Sequence, residues 1–229
     1  MKTLICASVF GKDEDELVER VSQALGRGAD LVEVRLDLSN YTDVDRLCSV
    51  LGPFSEKLVV TCRPVEEGGK STLPKDERLN LLEKLAEMGV GYVDVELKIV
   101  DDDAAARLKK LCRRLIVSWH NFETTPDTMT LVDVGRKCLR HGDIAKIVTF
   151  SRGAEDNYRL LGVYSFLPRT KVVAFCMGEE GWITRVLSMA AGAPIAYASL
   201  DELRTAPGQL RVEEMVAMRD SIVQGVAVD

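Results

Sequence analysis

Short apolar runs alternate with amphipathic stretches along the whole 229-residue chain. Thr3 to Ser8, Leu31 to Leu36, Lys57 to Cys62, Tyr92 to Glu96, Leu115 to His120, Ile144 to Phe150, Lys171 to Met177 and Ile195 to Ala198 have the length and composition of buried strands. The stretches between them carry a helical period. They fall at Glu14 to Leu25, Val44 to Leu51, Lys75 to Met88, Asp102 to Arg113, Met129 to His141, Glu155 to Phe166 and Gly181 to Ala191, closed by Val212 to Val223. Eight strand–helix repeats within about the 200 to 250 residues such folds use predict an α/β protein, a (β/α)8 TIM barrel, rather than an open doubly wound sheet. No G-x-G-x-x-G follows the first strand, which weakens the nucleotide-binding alternative.

Composition adds boundaries to this picture. With 46% hydrophobic and 29% charged residues the chain is ordinary globular protein, and its seven prolines are scattered rather than gathered into a linker. A single catalytic domain over residues 1–229 is therefore expected. No apolar run approaches the roughly 20 residues of a membrane span, and the first strand is too short for a signal peptide, so a cytoplasmic protein is expected. The six cysteines form no C-x-x-C pair and read as reduced thiols rather than disulfides or metal ligands. A net charge of -6 without a Lys/Arg stripe argues against nucleic acid, and an anionic substrate would need local arginines.

Polar residues collect where the strands end, which is where barrel active sites form. Side chains two apart share a strand face, so Glu33, Arg35 and Asp37 go together, as do Thr61 and Arg63, Asp94 and Glu96, and Ser118 and His120. Each set also has a bland reading as paired or solvated charge. Lys146 is different, because an unpaired ammonium inside an apolar strand costs several kcal/mol. Among apolar walls or beside arginines it would lose proton affinity, and a neutral amine attacks a ketone to form an imine. Replacement by alanine would then leave the fold largely intact. The imine needs a base nearby, and of the two histidines His120 ends a strand while His141 ends a helix, where it suits the dipole. Two loops, Pro64 to Lys70 and Ser199 to Gln209, have the length and glycines to act as covers, or simply to be surface.

In their order, these residues resemble the type I 3-dehydroquinate dehydratases. The resemblance runs from about Thr3 to Gln209. It is carried by Glu33-Val34-Arg35-Leu36-Asp37, Thr61-Cys62-Arg63 with Glu67-Gly68-Gly69, Asp94-Val95-Glu96, Ser118-Trp119-His120-Asn121-Phe122, Asp143 to Ile147, Met177 to Arg185, and Ala206-Pro207-Gly208-Gln209. It implies that Lys146 is the imine lysine, His120 the general acid/base and Glu96 the carboxylate that orients the histidine. It further implies that Arg185 and Gln209 hold the substrate carboxylate, that Glu33, Arg35 and Arg63 hold ring hydroxyls, that Met177 forms an apolar wall, and that Ser8 and Thr205 also bind substrate. The reaction implied is 3-dehydroquinate to 3-dehydroshikimate plus water, with no metal or organic cofactor. The sequence departs from the family where Thr205 replaces a common serine, Asn121 a common aspartate and Thr184 a common serine. Two other readings stay open: a class I aldolase, and a barrel that binds a shikimate-like ligand without converting it. Whether the chain pairs as a homodimer is also open.

Overall fold

The computed structural model describes residues 2–41, 43–200 and 208–226, and its chain alternates strand and helix. The order is β1 (Leu4–Val9), α1 (Glu14–Gly26), β2 (Leu31–Arg35), α2 (Val44–Leu51), β3 (Leu58–Thr61), α3 (Lys75–Ala86), β4 (Tyr92–Glu96) and α4 (Asp102–Leu111). It continues with β5 (Arg114–His120), α5 (Thr128–His141), β6 (Ile144–Phe150), α6 (Ala154–Leu161), β7 (Val172–Met177), α7 (Trp182–Ala191), β8 (Ile195–Ser199) and α8 (Val212–Val226). All ladders are parallel, and the strand order β7-β6-β5-β4-β3-β2-β1-β8 curls the sheet into a nearly closed barrel. The seam lies between β7 and β8, where the rings of Phe175 and Tyr197 meet at 6.0 Å between centroids.

Strand pleating sorts the core into two shells. Val32, Val34, Val60, Val93, Leu115 and Val117 point outward and pack against Leu17, Leu47, Leu82 and Leu108 of the helices. Cys6, Leu31, Val59, Ile116, Ile144 and Val173 point inward and fill the lower barrel. Above that plug the inward residues turn polar, and this change positions the site. Several helices begin at an aspartate whose carboxylate accepts from the first-turn amides: Asp13 from Glu16, Asp101 from Ala104, Asp127 from Met129 and Thr130. Such a cap contributes about 1 kcal/mol.

The expected elements are all present, with shifts at their ends. The expected helix through Phe166 stops at Leu161, and Gly162–Ser165 continues as a 3-10 turn that buries Val163 and Tyr164. The Pro64 to Lys70 loop is not an open cover. It contains a 3-10 turn, Val65–Glu67, that ends at Gly68 with φ +74, a left-handed conformation that favours glycine. A Cβ there would fall inside the ring of Phe122, and one at Gly69 would strike the carbonyl of Arg63. The glycines fit the turn against its neighbours. No helix among the described residues is long and apolar enough to cross a membrane, and the six cysteines are free.

Candidate active site

The C-terminal ends of the strands surround a cavity of about 180 Å³. Lys146, the third residue of β6, reaches it from below and is 4% exposed. Its Nζ donates to Asp94 Oδ2 at 2.9 Å and to Glu33 Oε1 at 3.2 Å, and lies 3.9 Å from the centroid of the Tyr197 ring. The apolar or arginine-lined surroundings expected from the sequence are therefore replaced by two carboxylates and a ring face. Glu33 is fixed in turn by Ser8 Oγ at 2.6 Å and Thr61 Oγ1 at 3.1 Å. Burial works against its charge, but Lys146 and Arg35 hold its carboxyl below the usual range. Asp94 is buried as well, and Arg63 and Lys146 hold it far below that range.

His120 closes β5 with its ring over the same cavity. Burial first, then the charges of Arg63 and Lys146, push its proton affinity well below the ordinary imidazole value, so the ring is neutral at pH 7. Its Nδ1 lies 3.1 Å from Glu67 Oε2, and its face stacks on Phe122 at 6.1 Å between centroids and 18° between planes. Here the expectation for Glu96 needs correcting. Glu96 Oε1 accepts from Arg63 at 2.7 Å and Oε2 from Arg78 at 3.4 Å, so both oxygens face arginines. The carboxylate at the histidine is Glu67, which the 3-10 turn after β3 swings inward. Desolvation, reinforced by Glu96 and Asp94, raises the Glu67 carboxyl to about 7 against the pull of Arg63.

The arginines divide into partnered and unpartnered groups. Arg35 grips Asp37 with two bonds, 2.9 and 2.7 Å. Arg63 donates to Asp94 at 2.8 Å and to Glu96 and Ser118 at 2.7 Å each. Both line the cavity but are already engaged. Arg185, on the second turn of α7, is 1% exposed with Nε, Nη1 and Nη2 all lacking a hydrogen-bond partner among the described residues. Its guanidinium lies over the Phe175 ring at 4.1 Å, and burial pushes its proton affinity down to about 9. Met177 and Gln209, both buried, also line the cavity. Thr205 lies outside the described residues. Among these residues no group of three or more His, Cys, Asp and Glu is arranged to hold a metal. His141 sits away from the cavity, with Nδ1 3.0 Å from Asp102 Oδ1.

An amine held by carboxylates, a neutral imidazole and a guanidinium without a hydrogen-bonding partner among the described residues thus face one hollow. A model of the type I 3-dehydroquinase family matches residues 5–225. The chain belongs to the type I 3-dehydroquinase family. It is therefore an enzyme, a lyase of that family. The 3-dehydroquinate dehydratase of Methanopyrus kandleri is 37% identical over 213 residues, 92% of this chain and 96% of the relative. That of Thermococcus onnurineus is 40% identical over 217 residues, 93% and 95% of the two chains. Among solved structures, 3-dehydroquinate dehydratase from Geobacillus kaustophilus superposes with a TM-score of 0.87 at 27% identity, covering 98% of this chain and 92% of its own. The Aquifex aeolicus enzyme gives 0.81 at 31% identity, covering 96% and 98%.

Glu67 and Asp94 are what sequence reasoning missed as site residues. Glu67 stood within a quoted motif without a role, and Asp94 shared a face with Glu96. Tyr197 gave no signal beyond its inward parity on β8.

Proposed function

We propose that this chain, as one catalytic barrel, dehydrates 3-dehydroquinate to 3-dehydroshikimate through an imine on Lys146. The observation that carries the proposal is Arg185, a buried guanidinium without a hydrogen-bonding partner among the described residues that faces the same cavity as the lysine amine. A substrate carboxylate supplies the missing partner through two charge-assisted hydrogen bonds. Gln209 and the partnered Arg35 and Arg63 then meet the ring hydroxyls, and Met177 covers an apolar face.

The chemistry follows from the charges. The resting Lys146 ammonium passes a proton to His120, its neutral amine adds to the ketone, and return of that proton to the carbinolamine hydroxyl expels water and leaves a protonated imine. That iminium carries the positive charge the ammonium had, so Glu33 and Asp94 stabilise it as they stabilise the resting lysine. Electron withdrawal by the iminium acidifies the adjacent carbon. Neutral His120 takes that proton, and the imidazolium, held by Glu67, returns it to the departing hydroxyl. Hydrolysis of the product imine regenerates the amine. No metal or organic cofactor enters this scheme.

The test is borohydride reduction in the presence of 3-dehydroquinate, read by intact mass and peptide mapping. A stable adduct on Lys146 is expected, persisting in His120→Ala with turnover lost. An adduct on another lysine, or none, overturns the proposal. Cleavage of a phosphorylated sugar in place of dehydration would point to an aldolase.

A further inference from the structure

The barrel has a second mouth. Its N-terminal end, opposite the catalytic cavity, opens on a hollow of about 510 Å³ with Leu4, Tyr92 and Ile144 among its floor residues. Around it stand four cations, Lys2, Arg113, Arg114 and Lys171, and no carboxylate among the described residues lines it. Strand alternation brings three of them there. On β5 the inward residues are Ile116, Ser118 and His120, so Arg114 points into the same interior from the other end, beside Tyr92 in the ladder. Lys2 stands in the same phase as Leu4 and Cys6, and Lys171 in the same phase as Val173.

Three of these charges have no counter-charge among the described residues. Lys2 is shared with Asp220 at 3.5 Å, but Arg113, Arg114 and Lys171 have no side-chain hydrogen bond or ion pair among the described residues. Comparably exposed arginines elsewhere do pair: Arg46 with Asp15, Arg107 with Glu83, Arg159 with Glu155. The protein has net charge -6, so acids are available, yet among the described residues only Asp220, beside Lys2, pairs with any of these four cations. Converging like charges repel one another, and a multivalent anion relieves all of them together. The other arginine without a hydrogen-bonding partner among the described residues is Arg185, in the catalytic cavity. The floor suits a small carbon body, and the phenol of Tyr92 can donate to an anion. Hollows of this size take small molecules.

We propose that the N-terminal mouth is a second anion site, separate from the catalytic cavity, that binds a small multiply charged phosphoryl or polycarboxylate compound. The test is calorimetric titration with pyrophosphate and with citrate at constant ionic strength. It needs no turnover, so it is independent of the catalytic proposal. An anion can also reach Arg185, so the comparison is made in Arg185→Gln protein, where one saturable site is expected to remain. Adding Arg113→Gln and Arg114→Gln should raise Kd for the bound probe by about tenfold or more, because two charge-assisted contacts are lost. The two substitutions made without Arg185→Gln should leave dehydration and thermal unfolding unchanged, since both side chains are exposed. Binding of pyrophosphate alone identifies a phosphoryl ligand, and binding of citrate alone a polycarboxylate. Unchanged affinity in the arginine variant, or no saturable binding of either probe to Arg185→Gln, overturns the proposal.

Discussion

Glu67 Oε2 lies 3.1 Å from His120 Nδ1, and the same carboxylate borders a second hollow lined by Arg78, Glu96 and Lys98. In the proposed mechanism the histidine works as half of a pair whose other half is supplied by a loop, and the two titrate as a unit. The form this mechanism needs is neutral imidazole beside ionised Glu67, because the carboxylate stabilises the imidazolium formed on proton abstraction. With the Glu67 carboxyl raised to about 7, activity should fall as pH drops through that value. Glu67→Gln should lower kcat by about tenfold to a hundredfold, part of the ~10² to 10⁴ that general acid–base catalysis supplies. It should also remove the limb near 7, leaving one at lower pH set by His120. An unmoved limb in the kcat/KM profile would exclude the role.

The same raised carboxyl makes a stability prediction of definite sign. Between its unfolded value of 4.5 and about 7, Glu67 holds its proton in the folded protein and has lost it in the unfolded one. The unfolded state binds fewer protons there, so this group's contribution to stability falls as pH rises through that window. Glu67→Gln should accordingly gain up to about 3 kcal/mol relative to wild type at pH 8 and little at pH 4.5. Urea unfolding at the two pH values checks this, and equal differences at both would remove the argument.

The barrel and most of the cavity lining were legible because strand parity is a local property. Once Glu33, Arg63, His120 and Lys146 are placed on inward phases, closure of the sheet brings them to one end without further information. Glu67 was not legible, since its approach depends on a three-residue 3-10 turn and on Gly68 packing against Phe122. Nor was the partner of Lys146. Asp94 shares the inward phase of Glu96 on β4, and only the curvature between β4 and β6 decides which of the two meets the amine. The break in the expected helix at Leu161 was hidden because Val163 and Tyr164 continue its apolar content.

The paired environment of Lys146 changes what its loss should do. Lys146→Ala should abolish imine trapping, but it does not remove an isolated buried amine, as the sequence suggested it would. It leaves Glu33 and Asp94, 3% and 0% exposed, without their shared cation. Breaking a buried pair in this way costs about 3 to 5 kcal/mol. The loss should be largest at pH 8, shrink as acid protonates the carboxyls, and be partly recovered by adding Asp94→Asn. A variant as stable as wild type in urea at pH 8 would show that the ion pairs contribute nothing.

Arg185 should show the opposite balance of stability and function. Its guanidinium is buried without a hydrogen-bonding partner among the described residues, and burial has pushed its proton affinity down to about 9, so in the empty enzyme it is a destabilising group. Arg185→Met keeps the contact with Phe175 and removes the unpaired polar atoms, which should stabilise the unliganded protein by about 1 to 3 kcal/mol. The same change should raise KM steeply, because a hydrogen bond to a charged group contributes about 1.5 to 3 kcal/mol against about 0.5 to 1.5 for a neutral one. Gln209→Ala should therefore raise KM less than Arg185→Met. Arg185→Lys, which keeps the charge but loses the two-pronged geometry, should fall between wild type and Arg185→Met. Steady-state kinetics on 3-dehydroquinate and thermal unfolding of the same preparations read both effects. If Gln209→Ala harms KM more than Arg185→Met, or Arg185→Lys behaves as wild type, the carboxylate is bound elsewhere. Arg35 and Arg63 would then have to release Asp37 or Asp94 to receive it.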